Sequence, residues 1–278
     1  MKQITFNNGN QMPMLGLGTF RVSDGETLVQ SVKHAIEVGY RSIDTAMIYD
    51  NESSVGQGIK EGLASTGLQR EDLFITSKLW LTDYGKENVE KAYLTTLEKL
   101  QLDYLDLYLM HWPGTDEALF IETWQALEKL YEAGKIKNIG VSNFTEAQLE
   151  ALLKVAKVKP VINQVEYHPV LTQQSLKAYL KNQDIVMESW SPLMNGEILK
   201  NDTIIDIANK YKKSPAQIII RWNIDTDVVV IPKSVTASRI EENIEVFDFE
   251  LTKEDIEVIN ALNEERRIGP DPTEFDGK

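Results

Sequence analysis

Eight short apolar runs, each followed by a segment with helical spacing, constrain this chain more than any other feature. The runs cover residues 15–18, 40–44, 73–78, 104–110, 136–141, 161–165, 185–190 and 228–231. Between or after them lie "DGETLVQSVKHAIEVG", "ESSVGQGIKEGLAS", "KENVEKAYLTTLEKL", "EALFIETWQALEKLYEAG", "TEAQLEALLKVA", "TQQSLKAYLKN", a pair over 202–224, and "ASRIEENIEVF". Gly39 and Gly134 stand where helix ends favour glycine. Near-continuous apolar strands belong to a sheet buried on both faces, and their alternation with helices gives parallel β/α units. The architecture expected is a closed (β/α)8 TIM barrel occupying residues 1–278 as one domain, since about 250 residues is usual for that barrel. Asn8-Gly9 between short extended runs predicts an N-terminal β-hairpin, placed to close the bottom of the barrel. The rival is an open doubly wound sheet. It usually carries G-x-G-x-x-G after its first strand, and "GLGTFR" lacks the third glycine.

Composition narrows the partners. The formal net charge of −14 repels phosphate backbones and anionic lipid, so neither nucleic acid nor a membrane is expected as a partner. An anionic ligand would need its own local cluster of cations and backbone amides. The chain has no cysteine, which excludes disulfides and thiolate chemistry and fits a cytoplasmic protein. "MKQITFNNGNQMP" is too polar for a signal peptide, and no long apolar span follows. His34, His111 and His168 lack metal-ligand spacing, so no metal is expected.

In a barrel of this kind, reactive groups collect at the C-terminal ends of the strands. Strand two ends at Asp44, with Tyr49 just beyond; strand three ends at Lys78; strand four ends at His111 and Trp112. Strand five gives Ser142 and Asn143, strand six Gln164, and strand seven Trp190. Taken singly, Asp44 reads as a cap, Tyr49 as a packed aromatic and His111 as a core histidine. Taken together they form a proton-transfer group. A Lys78 ammonium beside Tyr49 is expected to lower a phenol that ordinarily titrates near 10, with Asp44 keeping the lysine charged. His111 would hydrogen-bond a substrate oxygen. No activated serine or cysteine accompanies them, so the chemistry expected is protonation of a carbonyl oxygen while a hydride carrier attacks carbon.

A phosphate site is expected late in the chain. "VVVIPKSVTASRIEENIEVF" places Lys233, Ser234 and Thr236 on the loop after the last strand and Arg239 about a turn into the next helix. Loop amides, a helix start and two cations make an anion trap in an acidic protein. Glu242 and Asn243 could face an adenine amino group, or simply be solvated on the helix surface.

The motifs "LGLGTF", "GYRSIDTAMIYDNESSVG", "LFITSKLW", "DYLDLYLMHWP", "KIKNIGVSNF", "INQVEYHP", "SPL", "IPKSVTASRIEEN" and "RRIGPDP" occur in that order. Together they resemble the aldo-keto reductases over nearly the whole chain. The resemblance implies NADPH-dependent reduction of small aldehydes, ketones or dicarbonyls by a barrel that needs no metal. It implies Tyr49 as proton donor with Asp44, Lys78 and His111. Ser142, Asn143 and Gln164 would hold the nicotinamide carboxamide, Trp190 would stack on its ring, and Ser191 and Leu193 would line the pyrophosphate path. Lys233, Ser234, Thr236 and Arg239 would hold the 2′-phosphate of NADP(H), and Glu242 and Asn243 the adenine. Met47, Trp80 and Trp112 would form the substrate wall. Trp190 replaces the family's more usual tyrosine, "SPLMNGEILKND" is poorer in glycine than its counterparts, and the tail after Arg267 is short. That compact form resembles the bacterial diketogluconate- and glyoxal-reducing group, and a monomer is expected. An NADPH-sensing barrel with little turnover is the alternative, and a metal-dependent hydrolase or isomerase is disfavoured by the few histidines.

Overall fold

A computed structural model describes residues 1–277. The hairpin forms as expected, from β1 (Gln3–Thr5) and β2 (Gln11–Pro13), and Gly9 turns it with a left-handed φ of 87°. Eight parallel strands follow: β3 (Leu17–Gly18), β4 (Ser42–Asp44), β5 (Phe74–Leu79), β6 (Leu107–Met110), β7 (Ile139–Ser142), β8 (Ile162–Glu166), β9 (Val186–Trp190) and β10 (Val228–Val230). Their order in the sheet is their order in the chain. The sheet closes on itself between β3 and β10. Leu15 bridges Val230, Gly18 bridges Lys233, and the Gly16 N–H donates to the Val230 carbonyl at 3.0 Å. A closed ring leaves no strand edge exposed.

The helices α1 (Glu26–Glu37), α2 (Glu52–Thr66), α3 (Val89–Leu100), α4 (Glu117–Glu132), α5 (Glu146–Leu153) and α6 (Gln174–Asn182) each return the chain to the start of the next strand. Then α7 (Asp202–Tyr211) and α8 (Pro215–Asp225) lie between β9 and β10, and α9 (Ala237–Ile244) and α10 (Lys253–Asn260) end the fold. Local chemistry sets several boundaries. Capping boxes pair Thr145 with Gln148 and Ser214 with Gln217, and Pro215 opens α8. Gly56 is where α2 crosses α3 too closely for a side chain: a Cβ there would lie 2.3 Å from the Leu100 carbonyl oxygen.

The hairpin covers the mouth at the strand starts. Phe6 packs on Phe74, ring centroids 6.2 Å apart, and Asn7 donates to the carbonyls of Pro160 and Asp184, just ahead of β8 and β9. Phe6, Met12, Phe74, Leu107, Val161 and Val229 seal this end as an apolar plug. Elsewhere within the sheet, side chains that a core ordinarily refuses are buried: Asp44, Lys78, Gln164, Glu166 and Glu188. Buried polar groups of this kind must satisfy one another, and their arrangement defines the site. Among the described residues, no helix is long and apolar enough to cross a membrane.

Candidate active site

Asp44 ends β4, and the chain then turns through a one-turn helix, Met47–Tyr49, that brings the Tyr49 ring back beside the strand ends. Register places Asp44 opposite Thr76 on β5, so Lys78 stands one step further along the same face. Lys78 is wholly buried, and its ammonium meets three acceptors. It donates to Asp44 Oδ1 at 2.6 Å, to the Thr45 carbonyl at 2.8 Å and to the Tyr49 oxygen at 3.4 Å. An ammonium has three protons, so its donors are all used. Because Tyr49 accepts from Lys78, its own hydroxyl proton is left for another acceptor.

Burial opposes charge on Lys78, yet Asp44 and Tyr49 hold the ammonium above the ordinary lysine range. For Tyr49 the balance differs from the expectation. Lys78 pulls the phenol down, but burial pushes it up more strongly, and the net direction is upward. His111 follows β6, its ring edge-on to Tyr49 at 5.6 Å between centroids and to Trp80 at 5.1 Å. Burial, reinforced by the Lys78 charge, holds it well below the usual histidine value, so it is neutral at physiological pH.

Ser142, Asn143, Gln164 and Trp190 form one connected layer on the neighbouring strands. Ser142 Oγ donates to the Gln164 carbonyl at 2.8 Å, and Asn143 Nδ2 donates to the His111 carbonyl at 2.9 Å. Asn143 Oδ1 accepts from Trp190 Nε1 at 2.8 Å. Gln164 Nε2 spends both protons on carboxylates, reaching Asp44 Oδ2 at 2.8 Å and Glu188 Oε2 at 2.9 Å. These bonds leave the Gln164 side-chain oxygen, Oε1, as the group able to meet a ligand. Beyond Trp190, residues 191–201 fold into two one-turn helices, Met194–Gly196 and Ile198–Lys200, with Ser191 at a left-handed φ of 52° and Leu193 half-buried. Arg266 from the tail ties this loop down through Glu197 at 2.6 Å.

The tail has a second anchor. Glu166, buried at the end of β8, accepts from the Ile268 N–H at 2.6 Å, the Gly269 N–H at 3.1 Å and the ring of His168 at 3.0 Å. Burial alone would raise this carboxyl, but the bonds from His168 and the two amides hold it below the usual range. Gly269 lies so near Trp190 that a Cβ would sit 2.4 Å from the indole Cη2. From there the tail carries Phe275 onto Trp112, centroids 4.4 Å apart, and towards Trp80 at 6.1 Å. Met47 is half-buried at the start of the one-turn helix.

After β10, Lys233, Thr236 and Arg239 are exposed and Ser234 is buried. Thr236 precedes α9 without making a side-chain cap bond, so that helix start offers uncapped amides. Lys233 and Arg21 line a cleft of about 350 Å³ together with residues of the loop before α1. The Glu242 carboxylate accepts from the Ser214 hydroxyl, which commits one of its oxygens to the protein, and Asn243 is buried.

The model of the Aldo/keto reductase family matches residues 14–264. The chain belongs to the aldo-keto reductase family. It is 55% identical to a glyoxal reductase of Bacillus subtilis over 98% of this chain and 96% of that protein. It is 47% identical to the methylglyoxal reductase DkgA of Escherichia coli over 99% of this chain and 98% of that one. An aldo-keto reductase of Bombyx mori solved in complex with NADP superposes with a TM-score of 0.91 at 38% identity, covering 97% of this chain and 95% of the other. This aldo-keto reductase is thus an oxidoreductase that draws on a nicotinamide cofactor, as its family does.

Further residues that adjoin the candidate site lie outside the sequence-based set. Phe20 is 48% exposed with its ring 5.0 Å from Tyr49, and Arg21 lies over Phe20 at 5.2 Å. Both follow the first barrel strand, so a strand-end search begun at strand one instead of strand two would have reached them. Phe275 gives no local signal, because only the tail's return path places it. Glu188 stands in mid-strand, where an acid in an apolar run is itself the signal.

Proposed function

We propose that this aldo-keto reductase uses NADPH to reduce small aldehydes, ketones and α-dicarbonyls, with glyoxal and methylglyoxal as first candidates and Tyr49 as proton donor. The observation that carries the reading is the three-way commitment of Lys78, which donates to the Tyr49 oxygen and leaves the phenolic proton available to another acceptor. NADPH, when bound, supplies hydride to the carbonyl carbon. As charge builds on the carbonyl oxygen, Tyr49 gives up its proton; an alkoxide is far more basic than a phenolate, so a phenol raised above its ordinary value still delivers. Lys78 stabilises the resulting phenolate, Asp44 keeps Lys78 charged, and neutral His111 donates a hydrogen bond to the same substrate oxygen.

For the cofactor, the donor set fits. Gln164 offers its side-chain oxygen and Ser142 and Asn143 its surroundings for the carboxamide, and Trp190 offers an indole face, fixed by Asn143, for the nicotinamide ring. Ser191, Leu193 and Arg21 line the pyrophosphate path. Lys233, Ser234, Thr236 and Arg239 at the uncapped start of α9 suit a 2′-phosphate, which favours NADPH over NADH. Asn243 and the remaining Glu242 oxygen face the adenine. Met47, Trp80, Trp112, Phe20 and Phe275 wall the carbonyl pocket, and this largely aromatic lining, with the two reductase relatives, supports small carbonyl substrates. All these groups come from one chain, so a monomer of one barrel domain, residues 1–278, is sufficient, and the lack of cysteine suits a cytoplasmic setting.

The test follows NADPH absorbance with methylglyoxal. Tyr49→Phe is expected to lose most turnover while still binding NADPH, as read by quenching of tryptophan fluorescence. A near-normal rate in that variant overturns the mechanism.

A further inference from the structure

Behind the ion pair sits a second carboxyl group that proton transfer as described does not use. Glu188 is the middle residue of β9, wholly buried, and the register partner of Gln164 on β8. Gln164 Nε2 bridges its Oε2 to Asp44 Oδ2, while its Oε1 is buried without a hydrogen-bond partner. The flanking strand β10 presents only valines, and on β8 the one acid, Glu166, is taken up by His168 and the tail amides. The ionisable groups facing Glu188 are therefore Asp44 from β4, Lys78 from β5 and Tyr49 from the one-turn helix.

One buried cation cannot neutralise two buried carboxylates. If both were ionised, a single amide would separate two anions, and one negative charge would be sealed from water without compensation. Two acids sharing one site resolve this by keeping a proton on one of them. Asp44 holds the direct contact with the ammonium, so the proton belongs on Glu188. We propose that Glu188 is a positioning residue of the active site which, as a neutral acid, fixes the Gln164 amide and leaves Asp44 as the single anion paired with Lys78.

Burial, with the Asp44 charge next, pushes the Glu188 carboxyl up to about 8, which agrees with that assignment. The consequence for turnover rests on the reading of Tyr49 as proton donor. Once Glu188 ionises, its charge adds to that of Asp44 in holding protons on Lys78 and Tyr49. Tyr49 then becomes a poorer acid, and carbonyl reduction slows as pH rises through the Glu188 value.

Two substitutions separate charge from shape. Glu188→Ala removes the acceptor that holds Gln164 and is expected to lower kcat by up to roughly 100-fold, with a weaker effect on the carbonyl KM. Glu188→Gln keeps an acceptor but cannot ionise. It should recover most of that loss and move the alkaline fall of kcat upward by at least about one pH unit. Infrared difference spectra of the same proteins, without cofactor, supply a readout independent of turnover. They should show a protonated-carboxyl band lost near pH 8 and missing from Glu188→Gln. An alkaline limb identical in Glu188→Gln and the parent overturns the proposal, and so does the absence of such a band. If Tyr49→Phe stays active, the reading of Tyr49 falls instead, and the infrared band still decides the protonation of Glu188.

Discussion

Replacing Lys78 with Met tests whether the buried pair with Asp44 is a structural as well as a chemical unit. At 2.6 Å and an effective dielectric of about 20, the Coulomb attraction is roughly 6 kcal/mol. Desolvation of both ions offsets part of this, so breaking the pair from one side is expected to cost about 3–5 kcal/mol, chiefly because Asp44 is left buried with Gln164 as its remaining charge-stabilising donor. The same carboxylate is not stranded if Asp44→Asn is introduced with Lys78→Met. The double variant should therefore be more stable than the two single losses predict, by about 1–3 kcal/mol. Urea unfolding of the cofactor-free proteins at neutral pH, with m-values checked for constancy, measures the cycle. Losses that add to within about 0.5 kcal/mol would refute the argument, and a Lys78→Met protein as stable as its parent would refute it more directly.

Two further outcomes follow from the cofactor side. Arg239→Ala should weaken NADPH binding by about 1.5–3 kcal/mol, the range for a hydrogen bond to a charged group, and leave NADH nearly unaffected; equal weakening of both, by fluorescence titration, removes the case for a 2′-phosphate site there. Gly269→Ala forces a methyl group onto the Trp190 indole and should raise the cofactor KM more than it lowers kcat. Unchanged cofactor kinetics in that variant would mean the indole is not held where the ring must stack.

All eight barrel strands were legible because short apolar runs alternating with helical segments admit few other folds. The first strand shrank to Leu17–Gly18, yet Leu15 still bridges Val230, so the run marked the path of the chain while the seam supplied little regular pairing. Asp44, Lys78, Tyr49 and His111 could be found by listing strand ends, since barrel geometry brings those ends together whatever their spacing in sequence. What could not be read was any balance between opposing terms. Lys78 beside Tyr49 suggested a lowered phenol, but the burial that outweighs it comes from the folded surroundings, where the rings of Phe20 and His111 pack against Tyr49. The same holds for Glu242, one of whose carboxylate oxygens is committed to Ser214 at the start of α8, a contact between distant segments that the sequence does not show. The helix α10 lay beyond the alternating pattern and so beyond the argument built on it.

The double amide grip of Glu166 on Ile268 and Gly269 fixes the point from which the tail crosses the pocket. At the grip itself, Gly269 lies against the Trp190 indole, so a change there reaches the ring that the nicotinamide would meet. Downstream, the remaining residues hang from a fixed point and meet the pocket chiefly through Phe275 against Trp112 and Trp80. New tails can be grafted after residue 269 as one exchanges a key blade on a common shank: the lock face changes, and the bolt it drives does not.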